Sequence, residues 1–211
     1  MTEGPLAVLQ RIRLTRPRQV PRPGERCELC GDGIGDDHRH LVDVKARNLM
    51  CACRGCHLLF VSEGAGGGHY RAVPDRYVAF PGFQLSRAQW DAMQIPVSVA
   101  FFFLNSELDR VAAFYPSPAG ATESELPLEK WAEIVAANPE LGTLQPDVEA
   151  FLVRARPERG EAECYLVPVD VCYELVAHLR RLWRGFDGGR EAHVQLDSFF
   201  GTVRERCGVK A

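Results

Sequence analysis

Cys27-Glu28-Leu29-Cys30 and Cys53-Arg54-Gly55-Cys56 are two cysteine pairs of identical spacing, separated by 22 residues. Nothing else in the chain constrains its fold as strongly. Two thiolates spaced this way can face one ion across a tight turn, and two such turns complete the tetrahedron that zinc or a single iron prefers. Gly31 follows the first pair and His57 the second, residues suited to leaving a tight knuckle. Cys27, Cys30, Cys53 and Cys56 are therefore the expected metal ligands. Four thiolates close the coordination shell, which makes zinc a structural ion there and iron a one-electron centre.

Further donors lie close by. His38 and His40 stand two apart, so on an extended backbone they point the same way, and Cys51 and Cys53 are expected to do likewise across a hairpin. With His57, they are substitute or additional ligands: one could replace a cysteine, or a second ion could be held. Otherwise the histidines are exposed polar residues or donors that orient the thiolates. Cys164, Cys172 and Cys207 are widely separated and read as small buried apolar residues.

The remaining composition limits the function classes. The formal net charge of -3 gives no global basic field for nonspecific nucleic-acid binding. No apolar leader is expected, because Arg11, Arg13, Arg16, Arg18 and Arg22 interrupt the pattern that begins at Leu6, and the longest nearly apolar run, 95–104, is too short to span a bilayer. The expected location is the cytoplasm, without membrane insertion, where clustered cysteines serve as metal ligands rather than disulfides.

The organisation follows from pattern changes. Residues 1–25, with five arginines and four prolines, read as a flexible basic arm with a short helix where Leu6, Leu9 and Ile12 recur. Residues 26–63 form a cysteine-rich ribbon, its two knuckles joined by extended runs 41–44 and 48–51 around Lys45-Ala46-Arg47. The four glycines of 64–68 form a joint to an α+β unit over 69–209. There, strands are expected at 70–73, 77–80, 97–104, 111–115, 148–154 and 164–167, with hairpins turning at 105–109 and 157–161. Segment 115–123, rich in proline and small residues, reads as a plain connecting loop, with an ordered loop carrying a binding surface as the alternative. Helices are expected from a capping box at Ser86 to about Gln94, over 128–137, after an N-cap at Asp170, and over 190–206 with Val194, Phe199, Phe200 and Val203 buried. The fold class is α+β: a small zinc-ribbon or rubredoxin-like metal knuckle unit attached to an antiparallel sheet with flanking helices.

Two resemblances bear on function. Asp37-His38-Arg39-His40, set between cysteine pairs, is similar to the zinc-stabilised HNH endonucleases. That similarity implies a metal-dependent nuclease with His38 as general base and His57 where the family has its asparagine or histidine. A longer set, Arg26-Cys-Glu-Leu-Cys-Gly31, His38-Arg-His40, Leu49-Met-Cys-Ala-Cys-Arg-Gly-Cys56, Phe114-Tyr-Pro-Ser-Pro-Ala-Gly-Ala-Thr-Glu123 and Trp183-Arg-Gly185, resembles an uncharacterised bacterial family whose genes often neighbour those of nickel-iron uptake hydrogenases. It implies a hydrogenase accessory, maturation or electron-transfer role, with hydrogenase subunits or maturation factors as partners, and no assigned reaction. The expectation is a zinc-binding accessory protein rather than an enzyme, with a single-iron rubredoxin-like electron carrier and an HNH-like metal-dependent nuclease as the alternatives, and nucleic acid an unlikely partner.

Overall fold

The computed structural model describes residues 26–124, 128–156, 161–185 and 188–209. The expected basic arm, its short helix and the hairpin tip at 157–160 lie outside them. The expected mixture of helices and antiparallel sheet is present.

Six strands form the larger sheet: β4 (Val78–Ala79), β5 (Val99–Asn105), β6 (Arg110–Ser117), β7 (Gly120–Ser124), β8 (Glu149–Arg156) and β9 (Glu161–Pro168). Their order is β4-β9-β8-β5-β6-β7, and all pairings are antiparallel. The central strands are apolar at successive positions because both faces are covered, so alternation decides which core a residue joins. Phe101 and Leu152 face helices α4 (Val169–Leu182) and α5 (Gly189–Arg206), meeting Leu175, Leu179 and Phe200. Phe102 and Phe151 face the opposite layer, where Trp90 of α2 (Arg87–Ala92) and Trp131 and Ile134 of α3 (Leu128–Ala137) pack. Cys164 and Cys172 are buried apolar residues on these two faces, as expected, whereas Cys207 is half-buried.

A second sheet carries the cysteine-rich segment. β1 (Arg39–Asp43) pairs with β2 (Asn48–Ala52) from Arg39 opposite Ala52 to Asp43 opposite Asn48, and on its other edge with β3 (Tyr70–Ala72). The hairpin turn is fixed where the Ala46 amide donates to Asp43 Oδ1 at 2.8 Å. β3 comes after the glycine segment, so this sheet draws on chain from both sides of it. The glycines are a shaped turn, with Gly64, Gly66, Gly67 and Gly68 all at positive φ. β1 couples two cores: Leu41 packs beneath the cysteines, while Val42 joins the large core with Phe101 and Leu175.

Several local expectations are corrected. The loop expected at 115–123 is the end of β6, a turn at Pro118-Ala119, and β7. Pro116 is tolerated because the pairing of β5 with β6 ends at Phe101 opposite Phe114, leaving the proline beyond the last bonded pair on that side. Asp170 is not the N-cap of α4: β9 runs directly into the helix at Val169, and Asp170 lies in its first turn. Val194 is 61% exposed, because the buried stripe of α5 is Ala192, Leu196, Phe200 and Val203. The Ser86 cap is as expected, with Ser86 Oγ accepting from the Gln89 amide at 3.2 Å and Gln89 Oε1 accepting from the Ser86 amide at 2.8 Å.

Candidate metal centre

The cysteine pairs arrive by different local routes. In the first, the Gly31 amide donates to the Cys27 carbonyl at 2.8 Å and the Cys27 amide to the Asp32 carbonyl at 2.8 Å, closing a tight turn. Gly31 lies at φ +77°, which a residue with a Cβ adopts only at a steric cost. In the second, Cys53 is the N-cap of α1 (Arg54–Leu58), its Sγ accepting from the Cys56 amide at 3.4 Å. Cross-links join them: the Glu28 amide donates to the Cys51 carbonyl at 2.9 Å, and the Cys51 amide to Glu28 Oε2 at 2.5 Å.

All four sulfurs lie within 4.8 Å of one another, with Cys30 Sγ and Cys53 Sγ 3.7 Å apart. Four sulfurs about 2.3 Å from a central ion at tetrahedral angles stand about 3.8 Å from each other, so the set fits one ion. Cys27 is 1% exposed, above buried Leu41 and Ala52, whereas Cys30 is exposed. Among the described residues the core beneath the cysteines is Cys27, Leu41 and Ala52 with six partly buried residues packed against them, too small to hold the two cysteine turns by burial alone.

The electrostatics of the thiols match such a site. Burial raises the Cys27 thiol pKa, but amide hydrogen bonds from Cys53, Cys30 and Leu29 outweigh it and bring the value down to about 6. The Cys56 thiol is pushed up to about 12, by its interaction with Cys30 first and by burial and the other thiols next. The Cys30 thiol is also raised: the Asp32 amide lowers it, yet Cys27, burial and Cys53 prevail. Crowded thiolates resist further ionisation until a cation neutralises them.

The other expected donors divide. His38, His40 and Cys51 form a second group, one donor atom from each within 4.8 Å of the others. Cys51 and Cys53 thus serve different clusters, because the strand ends at Ala52 and Cys53 begins the next helix, breaking the twofold alternation. The His38 and His40 ring centroids are 4.8 Å apart, and Cys51 is the register partner of His40. His57 belongs to neither group; its Nε2 contacts the Val73 carbonyl at 3.1 Å. His38, the general base implied by the endonuclease resemblance, and His57 both line a cleft of about 930 Å³, but they share neither donor group.

One participant escaped sequence reasoning. Asp170 Oδ2 accepts from His40 Nδ1 at 2.8 Å, a contact across 130 positions that no local pattern announces. Beside these groups an open cleft of about 1180 Å³ runs between the second sheet and α4, lined by His38, His40, Asp75, Tyr77, Asp170 and Arg206, among others.

Residues 26–207 match a family described as a family of unknown function, DUF5947. No curated protein and no solved structure gives a significant match.

Proposed function

We propose that this chain, which belongs to the DUF5947 family, is a cytoplasmic accessory protein whose Cys27, Cys30, Cys53 and Cys56 hold one structural zinc ion and whose zinc-bearing unit docks onto a larger protein assembly. The convergence of the four sulfurs carries the reading, since a complete thiolate shell leaves no coordination position for a substrate. Zinc bound there would supply cross-linking of the two turns and no chemistry of its own. The zinc-ribbon description of the N-terminal unit belongs to the same proposal.

Docking is supported by the surface beside the second pair. Leu58, Leu59 and Val61 are 60%, 68% and 57% exposed, three large apolar side chains at the end of α1. Large apolar side chains left exposed within four positions of the chain are the kind of surface that interaction sites use. The partner to test first is a nickel-iron hydrogenase or one of its maturation factors, from the resemblance carried by 26–56 and 114–123. Among the described residues no helix is long and apolar enough to cross a membrane, in keeping with a partner met in solution.

The test is isolation of the tagged protein from its native cells. The expected result is stoichiometric zinc and a hydrogenase subunit or maturation factor that co-elutes, and is lost with Leu58→Glu/Leu59→Glu. Protein that folds equally well without metal, with no such companion, would refute the proposal.

A second reading places a single iron in the same shell, favoured by the exposure of Cys30, through which an electron could leave. It predicts thiolate-to-iron charge-transfer absorption in the native protein, bleached on reduction. Colourless, iron-free native protein removes it.

A further inference from the structure

We propose that His38, His40 and Cys51 form a second metal site, distinct from the four-cysteine cluster, which takes a divalent ion of the zinc class. Donors at a metal site must present lone pairs, and the hydrogen bonds around both imidazoles fix which nitrogens do so. His38 Nδ1 lies 2.8 Å from the Gly35 carbonyl oxygen. That oxygen only accepts, so Nδ1 carries the proton and Nε2 carries the lone pair. His38 Nε2 is buried and has no hydrogen-bond partner among the described residues, leaving a lone pair removed from water. His40 repeats the pattern: Nδ1 is held by the Asp170 carboxylate at 2.8 Å, which leaves Nε2 as its free acceptor. A carboxylate behind a ligating imidazole fixes the ring's tautomer and orientation and strengthens it as a ligand.

Cys51 supplies the third donor. It lies directly opposite His40 across the β1–β2 pair, half-buried, and one ring nitrogen of each histidine and the Cys51 sulfur lie within 4.8 Å of each other. The four-cysteine cluster needs none of them, because it is complete without Cys51. Two imidazoles and one thiolate suit zinc, with copper as the competing ion by softness. Three protein donors leave a tetrahedron one position short. His38 and His40 both line the open cleft, from which water can fill that position. The second ion therefore differs in kind from the first: one shell is closed, and the other is open on the side of the cleft.

Metal counting on the full-length protein, with thermal unfolding as a check on folding, tests this. Wild type is expected to bind two zinc ions per chain, and His38→Ala, His40→Ala and Cys51→Ala one each. Asp170→Asn touches no metal, so it serves as the variant least exposed to gross disruption; it should retain the site with affinity lowered roughly 10- to 100-fold in chelator competition. Cobalt substitution separates the two sites, since Cys51→Ala should remove one cobalt spectrum and leave the tetrathiolate bands, whereas Cys30→Ser should perturb those bands and leave the other. Wild type that binds a single ion, or His38→Ala, His40→Ala and Cys51→Ala proteins that bind as many ions as wild type, would overturn the proposal.

Discussion

His40 and Asp170 stand 130 positions apart and share one hydrogen bond of 2.8 Å, which fastens the cysteine-bearing sheet to the first turn of α4. The carboxylate sits near the positive end of the helix dipole and also accepts from the Val171 amide at 2.9 Å, so its position is set by the helix. Val42 in the large core and Arg71, 3.3 Å from Asp147, join the two parts at other points. The metal-bearing surface is thereby held against the body and beside the cleft.

Removal of the carboxylate should loosen that attachment. Asp170→Ala is expected to cost about 1–2 kcal/mol, the range for a partly exposed hydrogen bond to a charged group. Urea unfolding of metal-saturated protein measures it, and limited proteolysis should show earlier cleavage in the 26–72 region. Unchanged stability would mean that Val42 and Arg71 suffice.

Arg76 and Glu149 make the test of a buried charge. Glu149 is fully buried, paired with Arg76 through two contacts of 2.7 Å and accepting from the Gln145 amide at 2.8 Å. Arg76→Met strands that carboxylate and should cost about 3–5 kcal/mol, whereas Arg76→Met/Glu149→Leu should recover most of the loss. Equilibrium denaturation of the three proteins provides the comparison.

Metal uptake should release protons. At pH 7.5 Cys27, at about 6, is already a thiolate and releases none, while Cys56, pushed to about 12, and Cys30, also raised, arrive protonated and must each give one up. Apparent affinity therefore rises with pH through the neutral range, and falls more steeply below about 6, where Cys27 also protonates. Calorimetric titration of the Cys51→Ala protein in buffers of different ionisation enthalpy counts the protons; a count of zero would contradict this electrostatic picture.

Leu58→Glu/Leu59→Glu should leave the fold intact, with stability within about 0.5 kcal/mol of wild type, because both side chains are exposed. Its effect should appear only in partner capture. A large loss of stability would show that these leucines support the metal unit itself.

The sequence carried the site further than it carried its surroundings. Paired spacing alone brought Cys27, Cys30, Cys53 and Cys56 together, because each knuckle is local and the ion's geometry is generic. Twofold alternation placed His38 beside His40 correctly and failed at Cys53, where a helix begins. β7 was hidden because Pro116 and the small residues after it look like loop, and only the end of the β5 pairing makes room for a proline. The role of Asp170 was hidden for a different reason: a first-turn acid reads as a cap in any sequence, and its bond to His40 exists only once two distant elements have met.

The most direct measurement is zinc-edge X-ray absorption on the Cys51→Ala protein, in which the four-cysteine cluster alone should remain loaded. The account predicts one zinc per chain with four sulfur neighbours at about 2.3 Å and no lighter atom in the shell. Nitrogen or oxygen neighbours at about 2.0–2.1 Å, or less than stoichiometric zinc in folded protein, would contradict it.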